Sequence, residues 1–121
     1  MNCPKCSAEM ETVAFKDVEV ERCTSCGGLW FDMLEHEDLS KLKGAAEAID
    51  TGDAAKGREM DELRVATCPK CHARMLSVHV PDQPHIVYEQ CQICNGIFMD
   101  AGEFKDFSKV TLGEFIRGFF T

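Results

Sequence analysis

Cys3-Pro4-Lys5-Cys6, then sixteen residues, then Cys23-Thr24-Ser25-Cys26-Gly27-Gly28-Leu29-Trp30-Phe31-Asp32, is the stretch on which the fold turns. Two cysteines three positions apart in a tight turn point both sulfurs at one ion. Two such turns complete a tetrahedron with metal–sulfur distances of about 2.3 Å. The first set reads C-x2-C-x16-C-x2-C through Cys3, Cys6, Cys23 and Cys26. A second reads C-x2-C-x19-C-x2-C through Cys68, Cys71, Cys91 and Cys94. Four-cysteine sites use a central gap of roughly 15–20 residues.

The second set is part of a longer repeat. Cys3-Pro4-Lys5-Cys6 and Met10 return as Cys68-Pro69-Lys70-Cys71 and Met75, 65 positions on. After three inserted residues the offset is 68, and Gly28, Trp30, Asp32 and Glu35 return as Gly96, Phe98, Asp100 and Glu103. The chain is a tandem duplication, divided as 1–43, a connector 44–67, and 68–121. Near 40 residues a unit cannot bury enough apolar surface to offset its chain entropy, and a metal or disulfides must add to it.

Between the cysteine pairs the sequence alternates as strands do. Val13 and Phe15 lead to Lys16-Asp17, and Val18 and Val20 return. Val78 and Val80 lead to Pro81-Asp82-Gln83-Pro84, and Ile86 and Tyr88 return. The runs Leu29-Trp30-Phe31 and Ile97-Phe98-Met99 make a third strand, with Trp30 and Phe98 capping a small core beside the metal. A hairpin with a cysteine pair at each end is a zinc ribbon. The expected fold is therefore a small metal-stabilised α+β chain of two tandem ribbons, each followed by a helix. Gly27 and Asn95 close the second turn of each unit, where a left-handed backbone is needed.

Eight cysteines also allow disulfides, a rubredoxin-like iron site or a redox C-x-x-C pair. Met1-Asn2-Cys3 opens no apolar leader, so the expected compartment is the reducing cytoplasm, where thiols stay free. Zinc, two ions per chain, is the favoured reading. Four thiolates leave no position for water, so hydrolysis at the metal is not expected. No nucleophile–base pair or phosphate loop is found, and the chain is not expected to be an enzyme. His36, His72, His79 and His85 are spare ligands; His72, next to Cys71, is the best placed of them, and each is expected on the surface.

After the second turn of each unit stand Asp32 with Glu35 and Asp100 with Glu103. They serve as an acid–base pair or as a helix start, the glutamate reaching back to the backbone at the aspartate. The helix start is the expectation, with Leu39, Leu42, Ala46 and Ile49 on one face and Thr51-Gly52 as the stop.

The pattern CPxC, spaced methionine, CxxCGGxWxDxxE resembles the bacterial zinc ribbons of the transcription-factor-IIB type, over about 1–43 and 68–110. The resemblance implies that the eight cysteines named above ligate zinc, and its name suggests transcription. Asn95, Phe98 and the longer second hairpin depart from the pattern.

The connector carries Gly44, Gly52 and Gly57. It predicts a helix end, a break and a short helix around 58–65, with ribbons that move and fold independently. Six of eight phenylalanines fall in 98–120, and Leu112, Phe115, Ile116, Phe119 and Phe120 describe an amphipathic helix. It packs on the chain itself, joins a homodimer or partner, or lies on a membrane surface. No apolar run approaches the ~18–20 residues that span a bilayer.

The formal charge is −8, spread as −4 over 1–43, −3 over 44–67 and −1 over 68–121. Two Zn(Cys)4 sites take the net to about −12. Nucleic-acid phosphates would be repelled; only Lys5, Lys16 and Arg22, or Lys70 and Arg74, offer local basic patches. The expected function is a zinc-binding, non-catalytic module for a protein partner, set in transcription by the resemblance. An iron-binding electron carrier and a zinc store or sensor are the alternatives.

Overall fold

A computed structural model describes residues 1–33, 35–62, 65–80 and 83–109. The tail positions from Leu112 to Phe120 that were read as an amphipathic helix lie outside them. Alternating apolar positions give strands β1 (Met10–Phe15) and β2 (Val18–Cys23), and the run after the second cysteine turn gives β3 (Leu29–Phe31). Three short helices follow: α1 (Glu35–Ser40), α2 (Ala45–Ile49) and α3 (Ala54–Asp61). The second unit repeats the strands as β4 (Leu76–Val80), β5 (Gln83–Gln90) and β6 (Ile97–Met99). Residues 103–109 are helical.

The six strands form one antiparallel sheet in the order β1-β2-β3-β6-β5-β4. The joint is β3 against β6, where Leu29 pairs with Met99, Trp30 with Phe98 and Phe31 with Ile97. Trp30 thus faces its own repeat counterpart, while Leu29 faces the counterpart of Phe31 and Phe31 that of Leu29. The two ribbons are related by a pseudo-two-fold axis at that pair, the arrangement of an isologous dimer within one chain. This corrects the expectation of independent ribbons. Neither three-residue third strand has an edge left to expose once paired, and pairing them buries both aromatic rings.

The glycines of the repeat explain how closely the halves approach. A Cβ on Gly28 would lie 2.1 Å from Phe98 Cζ, and one on Gly96 would lie 2.2 Å from Trp30 Cζ2. Each unit supplies a ring and, two residues earlier, the gap for the other unit's ring. Trp30 and Phe98 do lie beside the sulfurs, in a core with cysteines of both units, Met60 and Met75. A second cluster covers the opposite side with Val20, Leu29, Phe31, Leu39, Ile49, Ile97 and Phe104. Ser108 Oγ donates to the Ser40 carbonyl at 3.2 Å, so a second repeat pair meets on the axis.

The single amphipathic helix expected after the first ribbon is two. Gly44 takes a left-handed φ of 88° and separates α1 from α2. Leu39, Ala46 and Ile49 are nevertheless buried together and Gly52 (φ 71°) ends the run. The connector helix starts earlier than expected because Asp53 caps it, its side chain accepting from the Lys56 N–H at 3.0 Å. It is pinned to the second ribbon: a Cβ on Gly57 would lie 2.0 Å from the Ala101 carbonyl oxygen. Buried Asp50 accepts from the Gly102 N–H (2.9 Å) and the Lys105 N–H (3.0 Å). The connector is a clamp rather than a hinge. In the second hairpin, Gln83 and Pro84 belong to β5 rather than to the turn.

His36, expected on the surface, is 5% exposed. Its ring lies 5.6–6.3 Å, centroid to centroid, from those of Phe31, Tyr88 and Phe107, and Nδ1 has no partner among the described residues. Its repeat counterpart is Phe104, an apolar side chain in the equivalent slot.

Two outcomes follow from this packing. Gly96→Ala should destabilise the metal-loaded chain by about 1–3 kcal/mol, because the ring of Trp30 must move; chemical denaturation measures it. Burial holds the His36 imidazole below its usual pKa, against Glu37 and Asp38. A group whose folded value lies below its unfolded one near 6.5 loses stability as pH falls beneath that unfolded value. The wild type should therefore weaken more than His36→Phe between about pH 6.5 and 5, in paired denaturation series.

Candidate metal centre

The eight cysteines gather into two sets, Cys3, Cys6, Cys23, Cys26 and Cys68, Cys71, Cys91, Cys94. Within each set the sulfurs lie within 4.8 Å of one another, and all eight thiols are free. Cys3 and Cys26 sulfurs are 3.8 Å apart, as are those of Cys68 and Cys94; those of Cys6 and Cys23 are 3.4 Å apart. A tetrahedron with metal–sulfur bonds near 2.3 Å has edges of about 3.8 Å. A disulfide would need about 2.05 Å. The donor sets fit two four-coordinate ions, and they suit zinc.

All four turns have one construction. The N–H after each second cysteine returns to the carbonyl of the first cysteine: Ser7 to Cys3 (3.1 Å), Gly27 to Cys23 (3.2 Å), His72 to Cys68 (2.9 Å) and Asn95 to Cys91 (2.9 Å). Each first cysteine N–H then donates to the residue five ahead, at Ala8, Gly28, Ala73 and Gly96. The closing residue must be left-handed, with φ of 64° at Ser7, 76° at Gly27, 61° at His72 and 61° at Asn95. The sequence reading found this need at Gly27 and Asn95 and missed it at Ser7 and His72. Those two types bear the conformation at a small cost that the ion offsets. The held backbone N–H groups also point at sulfur: Ser25 and Cys26 donate to Cys23 Sγ (both 3.4 Å), and Cys71 donates to Cys68 Sγ (3.3 Å). Such bonds favour thiolate over thiol.

The thiols divide accordingly. A hydrogen bond from Cys3, joined by bonds from Cys23, Cys6 and the Gly28 backbone, overcomes burial and draws Cys26 down to about 5. Burial opposes the same change at Cys91, but the backbone at Cys94 and Ile93 and the thiols of Cys94 and Cys68 hold it at about 7. The proton is left on their neighbours. Cys3 is pushed up by its bond to Cys26 and by burial, and Cys71 is pushed up to about 12 by burial and its neighbouring thiols. Each set thus holds one sulfur that gives up its proton more readily than a free thiol, and a bound ion displaces the remaining protons.

Among the described residues, His36, His72 and His79 are in neither set. His36 is in the core, while His72 and His79 are exposed; nothing is described of the His85 side chain. The post-turn carboxylates do start helices. Glu35 Oε1 accepts from the Asp32 N–H at 2.9 Å, and Glu103 Oε2 accepts from the Asp100 N–H at 3.1 Å.

The two aspartates have a further role the sequence reading missed. Each binds the lysine inside the other ribbon's first turn: Lys5 Nζ lies 2.7 Å from Asp100 Oδ2, and Lys70 bonds Asp32. The recurrence of Lys and Asp in both copies was the available signal. Lys5 also reaches Glu89 Oε1 at 2.7 Å and the Met60 carbonyl at 3.1 Å. Burial works against its charge, but Asp100 and Glu89 prevail and hold the ammonium above its usual pKa. Within the basic patches expected at the surface, Lys5 is enclosed, and Arg22 is tied to Glu11 at 2.8 Å and to the Ile49 carbonyl at 3.1 Å, while Lys16 and Arg74 are exposed.

No described helix is long and apolar enough to cross a membrane. No curated relative and no solved structure matches the chain. The family model described as transcription factor zinc-finger matches it twice, over residues 2–43 and 67–108, which together hold both cysteine sets. With more than half of its length so matched, the chain belongs to that family, as two tandem zinc ribbons.

Proposed function

We propose that this chain is a non-catalytic zinc-ribbon module of the reducing cytoplasm that binds a protein partner, in the setting of transcription that its family name suggests. The observation that carries this reading is the closure of both sites. Among the described residues each site is four cysteine sulfurs within 4.8 Å of one another, and no histidine or carboxylate belongs to either group. An ion so enclosed holds backbone in place and leaves no vacant position for a substrate. What it holds in place at the second site is apolar and exposed. Ile93, inside the turn Cys91–Cys94, is 69% exposed, and Met33 is 57% exposed. Asn95 links that turn to Met33, its Nδ2 lying 3.8 Å from Met33 Sδ. Apolar side chains fixed on a rigid turn suit a protein surface, and the charge of −8 disfavours a nucleic acid.

Purified chain should be colourless and carry two zinc ions. Removing them with a strong chelator under reducing conditions should abolish the cooperative melt, because structural zinc contributes roughly 10–16 kcal/mol in comparable small domains. Elemental analysis and calorimetry check this, and a red, iron-loaded protein would instead support electron transfer. The partner reading is tested by crosslinking the intact chain in extract. Ile93→Asp with Met33→Asp should weaken capture of a protein about tenfold or more while zinc content stays at two. Capture that is nuclease-sensitive, or indifferent to both substitutions, would overturn it.

A further inference from the structure

We propose, on the footing of the partner reading above, that the face built by Met33, Lys70 and Ile93 seats a short helix of a protein partner. The helix lies there as α3 lies on the other side of the pseudo-two-fold axis.

The axis makes the molecule its own reference. On the first side a Cβ on Gly27 would lie 3.4 Å from the Ala101 Cβ. Across the axis their counterparts, Asn95 and Met33, meet as well. Lys5 pairs with Asp100, and Lys70 with Asp32. On the first of these matching frames sits α3. Gly57 brings its backbone onto the Ala101 carbonyl, and Met60 enters the core beside the cysteines. The Met60 carbonyl accepts from the Lys5 ammonium at 3.1 Å. That bond satisfies one of the carbonyls a helix leaves unpaired at its C-terminal end, where the dipole also favours a cation.

Exposure separates the two frames. Ala101 is 3% exposed and Met33 57%. The side chains of Lys5 and Asp100 are both 0% exposed, while those of Lys70 and Asp32 are 44% and 56% exposed. Lys70 thus holds an ammonium, open to water, at the place from which its counterpart caps a helix.

The replacements between the frames define the helix that fits. Ser25, which lines a cleft with Thr51, Asp53 and Lys56 at the start of α3, has Ile93 as its counterpart. The incoming helix therefore carries an apolar residue in its first turn, where α3 has Lys56. Glycine follows at the crossing, as at Gly57, and an apolar residue comes three positions later, as at Met60. Its last carbonyls end at Lys70. A second copy of this chain does not supply it, because α3 of that copy is already seated.

The probe is a peptide of residues 51–62 with Lys56→Leu. A lactam from Ala55→Lys to Glu59 holds it helical, since so short a helix is marginal in water. The zinc-loaded full chain is titrated with it and followed by amide NMR. Saturable shifts are expected at Met33, Lys70, Ile93 and Asn95. Gly57→Val in the peptide should weaken binding about tenfold or more, because the added side chain meets the Met33 carbonyl. Lys70→Met in the chain should weaken it about threefold or more by loss of a hydrogen bond. Should that variant fail to hold two zinc ions, the Gly57→Val peptide decides on the wild-type chain alone. No saturable shift, equal affinity of the Gly57→Val peptide, or shifts at Ala101 and Gly102 in place of Met33 and Ile93 would each overturn the proposal. Shifts of Met33 and Ile93 that grow with chain concentration, without peptide, place a second copy in the seat and overturn it too. Capture in extract that depends on Ile93 and Met33 while the peptide fails overturns the helix alone. Failed capture with a seated peptide overturns the partner reading and leaves the seat standing.

Discussion

Sulfur held around an ion is the constraint from which the remaining geometry follows. Each ribbon is a two-stranded hairpin with a three-residue third strand, far too small to offset its own chain entropy by apolar burial. Four bonds to one ion tie together residues up to 23 positions apart in the first ribbon, Cys3 to Cys26, and 26 in the second, Cys68 to Cys94. That anchorage is strong enough to carry local costs. Ser7 and His72 sit in left-handed backbone that their side chains do not favour, and every turn spends its N–H groups on sulfur or on a carbonyl across the turn.

The metal does not explain why two ribbons are joined. The aromatic residues do. A ribbon alone would leave Trp30 or Phe98 on an open strand edge beside a glycine. Placed about a two-fold axis, each ring covers the other unit's glycine, and each first-turn lysine finds the other unit's aspartate. The copies have then diverged within a shared plan. One lysine is enclosed with a second carboxylate, and the other stays wet. One helix places His36 where its counterpart places Phe104. The first connector carries Asp50 and Gly57 against the second ribbon, which clamps that side of the molecule.

Much of this was legible in the sequence. The cysteine spacing identifies ligands because a tetrahedral ion tolerates few spacings, and alternation identifies the hairpins because one face of each is buried. The helix starts at Asp32 and Asp100 were readable as capping pairs. What was not readable depends on contacts between distant segments. Nothing local marks Lys5 as buried, since its partners lie 84 and 95 positions away in the chain. The connector glycines read as breaks, yet Gly57 is small because Ala101 presses on it. His36 read as a surface residue because histidine on a short acidic helix usually is one; the second ribbon covers it. The pairing of β3 with β6 was written in the repeat itself, in matched glycine–aromatic pairs, but only as a relation between halves.

The register of that central pairing has a kinetic meaning. The hairpin β1–β2 closes across two residues, Lys16 and Asp17. The pair Trp30 and Phe98 closes across 67 intervening residues. Contacts of such different sequence separation form in order, local first, because the entropy of the larger loop is lost before the contact returns anything. The middle of the sheet is therefore its youngest part, and a nascent chain carries an unsheathed Trp30 until residues 97–99 have been made.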